Sequence, residues 1–369
     1  MLSAAQAEGT SPHAPACVTL PALATGGVTH ALATVFTEAV ASGALTGSPG
    51  VGLARAREAQ MYEQGDAVGA HAAGMKQIER YAKLRRGGRL TDLRKALAAD
   101  PTGSRAPIGP MVPLCAGVLL ECADPVREPA ELERWAGLGV VMVGMAWVGP
   151  GRYAGGNSTQ LGLTALGRAL VPVIDRLRLV HDASHLSDLS FAQLAASTDR
   201  LIVASHSNCR RLLGGGAAGV NQRHLSDGQI VEITRRGGVI GLNLFSAFLN
   251  SACASAGRAT IADAVSHVDH VCALAGSRRH VGLGSDMDGG FSAARLPEGI
   301  DGPEDLDRLA EALSERGWSD EEVAGFAFGN WARVLSGVLG GVLGGGAGSD
   351  LGSGAGSGTG SDLGSGAAQ

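Results

Sequence analysis

Aromatic residues are scarce in this chain, 4% of 369 residues, and Ala and Gly dominate in their place, a bias of genome composition more than of function. Cysteine is thin as well. Cys17, Cys115, Cys122, Cys209, Cys253 and Cys272 form no CxxC pair and no dense framework. That excludes a disulfide-stapled scaffold and suits free thiols in a reducing compartment. No apolar run approaches the ~20 residues a membrane-spanning helix needs. The opening MLSAAQAEGTSPHAPAC has neither the basic start nor the apolar run of a secretory leader, so the expected location is cytoplasmic. Basic excess is missing too: a net charge of −5 and a pI near 6.1 leave no footprint for nucleic acid or a membrane surface. What is present is a hydrophobic fraction of 45%, ample for the core of one large domain, and α/β barrels of this length are commonly single domains.

Both ends stand apart from the middle. Residues 1–16 read as a disordered start. From Ser336 the chain runs SGVLGGVLGGGAGSDLGSGAGSGTGSDLGSGAAQ, repeating GSDLGSGA, and such a composition buries too little apolar surface to offset its ordering entropy. Residues 336–369 are therefore expected to be a flexible Gly/Ser-rich tail, which leaves a barrel domain over 17–335. Within it, seven apolar runs read as buried strands: 28–36, 113–121, 139–147, 176–182, 200–206, 237–245 and 279–286. Helical patterns separate them at 56–85, 129–136, 159–175, 188–197, 227–235, 260–275 and 303–316. Alternating strand and helix predicts a parallel sheet with right-handed crossovers, an α/β fold of the TIM-type (β/α)8 class. A closed barrel of that class wants eight strands, so one is expected to be absent.

The strand ends carry the chemistry. Glu121 closes one apolar run, Asp182 and His185 follow another, His206 closes a third, and Asp286 and Asp288 follow the last. Active sites of such barrels are built at the carboxyl ends of the strands. Two imidazoles and a carboxylate meeting there make a zinc-type site with an open position for water. Asp286 would then move a proton from that water to the leaving group. Singly, each residue has a plainer reading: a hydrogen-bonded structural His, a solvated Glu, or a helix cap through Ser207 or Asn208. Their joint recurrence at strand ends favours a site. His13 and His71 read as surface residues, His181 as core, and His267 and His270 as packing residues of an outer helix, while His30 could line the barrel interior.

In order and spacing, LVHDASHLSD, IVASHSNCRRLL, NQRHLSDGQIVEITRRGGVIGLNLF and HVGLGSDMDGG resemble the membrane (renal) dipeptidase family. RGWSDEEVAGF and GNWARVL resemble its closing segment, and RYAGGN at 152–157 is more similar to a bacterial branch. The resemblance spans about Val18 to Leu335. It implies a binuclear zinc peptidase of dipeptides, tolerant of a D-residue at the C-terminal position. By resemblance Glu121 bridges both metals, His185 and His206 bind the second, and Asp286 is the acid/base. Asp182 and Asp288 would support the ligands from behind, and Arg223 would hold the substrate's terminal carboxylate. Two departures stand out. The family opens on a strand that ends in a His-x-Asp pair, and no such pair precedes Val18, so only one metal's ligands are complete. Trp147 stands where the family places a substrate-contacting His at the end of its fourth strand.

The leading expectation is thus a zinc-dependent metallodipeptidase acting on a dipeptide or similar small amide, whose native start lies upstream of Met1. As it stands, a barrel short of a strand would expose unpaired edges. Two alternatives stay open: a non-catalytic relative that binds small ligands at the barrel mouth, and an amidohydrolase acting on another amide. No nucleic-acid partner and no membrane span are expected, and a homodimer stays open.

Overall fold

In a computed structural model of the chain, residues 16–40, 60–102, 112–214 and 222–340 are described. Residues 1–15, positions 56–59 of the expected first helix, and the tail from 341 onward lie outside the described residues. The strands in chain order are β1 (His30–Val35), β2 (Glu38–Val40), β3 (Met61–Glu63), β4 (Leu90–Asp92), β5 (Leu114–Leu120), β6 (Val140–Gly144), β7 (Val180–Asp182), β8 (Ile202–Val203), β9 (Ile240–Leu242) and β10 (Val281–Leu283). β1, β5, β6, β7 and β8 pair in parallel in that order. A parallel bridge from Ala204 to Ile240 carries the sheet on to β9, which pairs with β10. These seven strands are the seven apolar runs of the sequence. β2 and β3 form a separate short pair, and β4 joins the start of β5. This is the TIM-type α/β barrel, with no strand between β10 and β1 among the described residues.

The helices follow from local signals. We number α1 (Leu20–Thr25), α2 (Ala67–Arg86), α3 (Leu93–Ala99), α4 (Leu132–Gly137), α5 (Ala165–Arg176), α6 (Asp188–Ser197), α7 (Asp227–Arg235), α8 (Ser246–Leu249), α9 (Ile261–Ala275), α10 (Asp307–Glu315), α11 (Asp320–Ala324) and α12 (Asn330–Leu339). Ser187 caps α6 through the Ser190 amide, while Ser226 with Gln229 and Thr260 with Asp263 form capping boxes on α7 and α9. Each such cap is worth ~1 kcal/mol. The expected tail boundary at Ser336 moves outward, because α12 continues to Leu339. Leu335 and Leu339, four residues apart on one face, are both buried, and that burial holds the last turn.

Two apolar layers fix the strands. Val118, Leu120, Val140 and Val143 pack in one cluster with Leu170, Ile174 and Leu194. Leu119, Val141, Val180, Val203 and Val239 pack in a second cluster with Leu93 of α3 and with Trp331 and Leu335 of α12. Burying an aliphatic side chain of this kind is worth ~1.5–3 kcal/mol.

The open edges of the barrel, expected from the sequence to be unpaired, are capped in part by side chains. Thr29 and Val35 turn their carbonyls toward β5, so the intervening Thr34, and Phe36 just beyond β1, face the gap. Tyr81 of α2 donates its hydroxyl to the Thr34 carbonyl at 2.7 Å. Gln77 accepts from the Phe36 amide and donates to its carbonyl. On the other side, Asn330 donates to the Val281 carbonyl at 2.8 Å and Trp331 donates its indole N–H to the Leu283 carbonyl at 2.9 Å. His30 stacks on Phe328 across the same gap, with ring centroids 4.3 Å apart. Side chains thus do what a neighbouring strand's backbone would do.

Candidate active site

Every strand-end polar residue expected from the sequence lies at or just beyond a strand's carboxyl terminus. Glu121 follows β5, Asp182 closes β7 with His185 three residues on, His206 follows β8, and Asp286 follows β10. Three of them meet. His185 Nε2 lies 2.9 Å from His206 Nε2, 3.2 Å from Glu121 Oε1, and His206 Nε2 lies 3.7 Å from the same oxygen. Among the described residues, this is the one group of three or more His, Cys, Asp or Glu whose ligand atoms all lie within 4.8 Å of one another.

What lies behind the rings sets their tautomers. His185 Nδ1 is 3.1 Å from Asn157 Oδ1, an acceptor, so the proton sits on Nδ1 and Nε2 presents its lone pair. Asn157 reaches the ring because its loop folds back on Trp147. A Cβ at Gly156 would lie 2.0 Å from the Trp147 carbonyl oxygen, so only glycine permits that approach. For His206 the chain of bonds has three members. The Asp182 carboxylate takes the Ser205 and Ser184 amides and the Ser205 hydroxyl, the last at 2.5 Å. A carboxylate only accepts, so the Ser205 hydroxyl donates to it. The Ser205 oxygen, 2.7 Å from His206 Nδ1, therefore accepts from the ring and leaves Nε2 bare. Two bare imidazole nitrogens 2.9 Å apart beside a carboxylate oxygen suit a cation between them.

Charge agrees with geometry. Burial raises the Glu121 carboxyl pKa, but the closeness of His185 and His206 outweighs it and holds the group below the usual carboxylate range. Burial, aided by the Arg223 charge, pushes His185 down to about 3, so it stays neutral. Burial also acts to lower His206, yet the Asp286 and Glu121 charges lift it above the ordinary histidine value. Protonation of His206 therefore competes with the binding of a cation at its Nε2.

Asp286 is held at the edge of this group. Its Oδ2 accepts from Asn243 Nδ2 at 2.8 Å, and Asn243 follows β9 as the others follow their strands. Burial raises the Asp286 pKa. A Cβ at Gly289 would lie 1.9 Å from Asp286 Oδ1, so the turn needs glycine there. His185, Asp286 and Asp288 all adopt positive φ, between 55° and 69°, which concentrates backbone strain at the mouth. Arg223 is buried. Its guanidinium donates to Ser207 Oγ at 3.1 Å and to the His206 carbonyl at 2.9 Å, and it lies 4.9 Å over the Phe248 ring. Trp147 packs edge-on to Phe36 at 4.8 Å, with its ring 6.2 Å from that of His185. Asp288 stands apart from the group of Glu121, His185 and His206 and accepts from the Cys17 and Val18 amides, which pins the first described segment to the mouth.

Three further histidines serve structure. His181 pairs with Asp175 at 2.7 Å, and His270 with Asp227 at 2.8 Å. Buried His267 accepts from the Cys209 amide and donates to the Leu249 carbonyl. His267-Val268-Asp269 is a His-x-Asp triplet, but it lies in α9, with Asp269 turned to Arg316, and it brings no ligand to the mouth. His71, read as a surface residue, is part-buried and bonded to the Pro125 carbonyl, and His13 lies outside the described residues. Asn157, Ser205 and Asn243 were not singled out from the sequence. Asn243 ends a strand like the acidic residues and could have been found by that signal, whereas Asn157 gives no local sign.

A family model described as membrane dipeptidase (peptidase family M19) matches residues 10–339. An uncharacterized protein in the pqqA 5′ region of Klebsiella pneumoniae is 30% identical over 219 residues, which cover 57% of this chain and 77% of that protein. Dipeptidase aclJ of Aspergillus oryzae is 30% identical over 177 residues, 48% of this chain and 39% of that one. An uncharacterized dipeptidase of Schizosaccharomyces pombe is 30% identical over 179 residues, 48% and 41% of the two chains. The match therefore spans well under two thirds of these two dipeptidases. Among solved structures, the dipeptidase AC, a metallopeptidase of family M19, superposes with a TM-score of 0.72 at 21% identity, over 91% of this chain and 94% of that one. A metallopeptidase from Rhodobacter sphaeroides, bound to a phosphinate mimic of the dipeptide L-Ala-D-Ala, gives 0.70 at 22% identity, over 89% and 92%. At these identities the two structures show the shared fold.

Proposed function

The chain belongs to the membrane dipeptidase family, peptidase family M19, and on that premise we propose that it is a zinc-dependent dipeptidase using one metal position, held by Glu121, His185 and His206. One observation carries the reading: two imidazoles with bare Nε2 atoms converge with a carboxylate at the barrel mouth, and their tautomers are fixed from behind by Asn157 and Ser205. Zinc bound there would lower the pKa of a water molecule toward ~7 and polarise the scissile carbonyl.

The chain's own residues supply the rest. Asp286, oriented by Asn243 and raised in pKa by burial, takes the proton of the attacking water and returns it to the leaving amine nitrogen. Arg223 offers a buried guanidinium, fixed by Ser207 and Phe248, for the substrate's terminal carboxylate. Trp147 and Phe36 form an aromatic wall beside His185 on one side of the mouth. The phosphinate-bound relative suggests L-Ala-D-Ala as a first substrate.

The test is hydrolysis of L-Ala-D-Ala by the zinc-loaded chain, followed as released amine. Activity abolished by a chelator, restored by zinc and lost in Asp286→Asn supports the reading. A zinc-loaded, folded protein that cleaves no dipeptide overturns it and favours the binding relative.

A further inference from the structure

At the opposite end of the barrel from the metal ligands, a cleft of about 440 Å³ opens between the starts of β7, β8 and β9 and the last turns of α12. That volume is in the range of small-molecule sites, ~300–1,000 Å³. Its walls carry Arg178, Arg200, Arg236 and Arg333 against two carboxylates, Asp175 and Asp199, a local positive excess on a chain whose net charge is −5.

The excess is not neutralised from within. Asp175 is engaged by His181 at 2.7 Å and by Thr198 at 2.8 Å. Arg236 pairs with Glu232 and is otherwise spent on the carbonyls of Thr198, Arg200 and Ala195. Arg333 donates only to carbonyls, those of Gly237 and Arg279, so its charge meets no carboxylate. Its Nε–H is buried without an acceptor among the described residues. Arg178 and Arg200 are exposed, and their guanidiniums make no hydrogen bond or close ion pair among the described residues, the Arg200 charge acting on Asp175 only from a distance. Two forks without hydrogen bonds and one underpaired guanidinium around the cleft form a receptor for oxyanions, since a guanidinium binds phosphate or carboxylate bidentately.

We propose that this cleft binds a small polyanion, a phosphorylated or polycarboxylate metabolite gripped by Arg178 and Arg200 over Arg333. The proposal does not depend on the dipeptidase reading, because it uses none of the residues at the barrel mouth.

Calorimetric titration of the full chain with pyrophosphate and, separately, with citrate tests it, each at an ionic strength matched with sodium chloride. Saturable one-site binding of at least one probe is expected, with the tighter probe identifying phosphoryl or carboxylate as the preferred group. Arg200→Ala and Arg178→Ala should each weaken binding about ten- to a hundredfold, the usual loss for a hydrogen bond to a charged group. Both side chains are exposed, so melting in chloride alone should not change, and Arg178→Gln repeats the test with the apolar stem kept. Absence of saturable binding above chloride, or equal binding by the Arg178→Ala/Arg200→Ala double variant, would overturn the proposal.

Discussion

Replacing Asp182 by Asn should damage metal binding more than removing Ser205 altogether. In the native chain Asp182 accepts the Ser205 hydroxyl at 2.5 Å, and the Ser205 oxygen accepts the His206 Nδ1 proton at 2.7 Å. Ser205→Ala deletes the middle of that chain. His206 keeps its freedom to place a proton on Nδ1, but it loses the acceptor that favours this. Loss of such a supporting group typically costs about ten- to a hundredfold in metal affinity, or roughly 1.4–2.7 kcal/mol. Asp182→Asn acts differently. With its oxygen still receiving the Ser205 and Ser184 amides, the new NH2 group points at the Ser205 oxygen and donates to it. The hydroxyl must then donate to Nδ1, which forces the proton onto Nε2 and closes the lone pair that a metal needs. The expected loss therefore exceeds that of Ser205→Ala. Zinc affinity measured by competition with a chelating fluorophore decides the matter, with circular dichroism to confirm the fold. The same probe on His185, through Asn157→Ala, should give a loss similar to Ser205→Ala. If Asp182→Asn binds zinc as tightly as Ser205→Ala or the wild type, the tautomer argument fails.

Further outcomes follow from other parts of the molecule. Zinc affinity should fall about tenfold per pH unit below the His206 pKa, because a proton must leave His206 when the metal enters and that pKa stands above the ordinary value; a flat profile from pH 8 to 6 would contradict this. Arg223→Lys should lower kcat/KM for dipeptides roughly ten- to a hundredfold while sparing their C-terminal amides, and an equal loss on both would make Arg223 structural. Burial lowers the His267 pKa from 6.5 to about 4, so its neutral form stabilises the fold fully above 6.5 and that contribution is lost as pH falls toward 4. By pH 5 the loss should be about 2 kcal/mol in urea unfolding, and it should shrink in His267→Gln. Gln77→Leu strands both the amide and the carbonyl of Phe36 at the barrel edge and should cost about 2 kcal/mol or more, against no change if the edge were already satisfied by solvent.

The sequence displays the barrel because a parallel strand covered on both faces must be apolar throughout. Val118, Leu119 and Leu120 are all buried, and so are Val140 through Val143, so the runs stand out without alternation. Ser187 and Ser226 mark α6 and α7 at their observed starts for an equally local reason. The meeting of Glu121, His185 and His206 was legible because charged and imidazole side chains seldom follow a buried strand without purpose. What was not legible depends on contacts far apart in the chain. Gln77 and Tyr81 meet β1 across more than forty residues, and Trp331 meets Leu283 across forty-eight. No local pattern announces an edge cap of that kind. Ser205 was hidden for another reason: in the run VASHSN it reads as a small strand-end residue, and only the placement of Asp182 shows the direction of its hydroxyl.

The measurement that bears most directly on the central claim is the zinc content of purified, dialysed protein by elemental analysis, taken beside Glu121→Gln, His185→Ala and His206→Ala. Convergence of Glu121, His185 and His206 at one position predicts about one tightly held zinc per chain in the parent protein, and close to none in each folded variant. A folded parent chain without zinc, or variants that keep it, would contradict the assignment of the metal to these three residues.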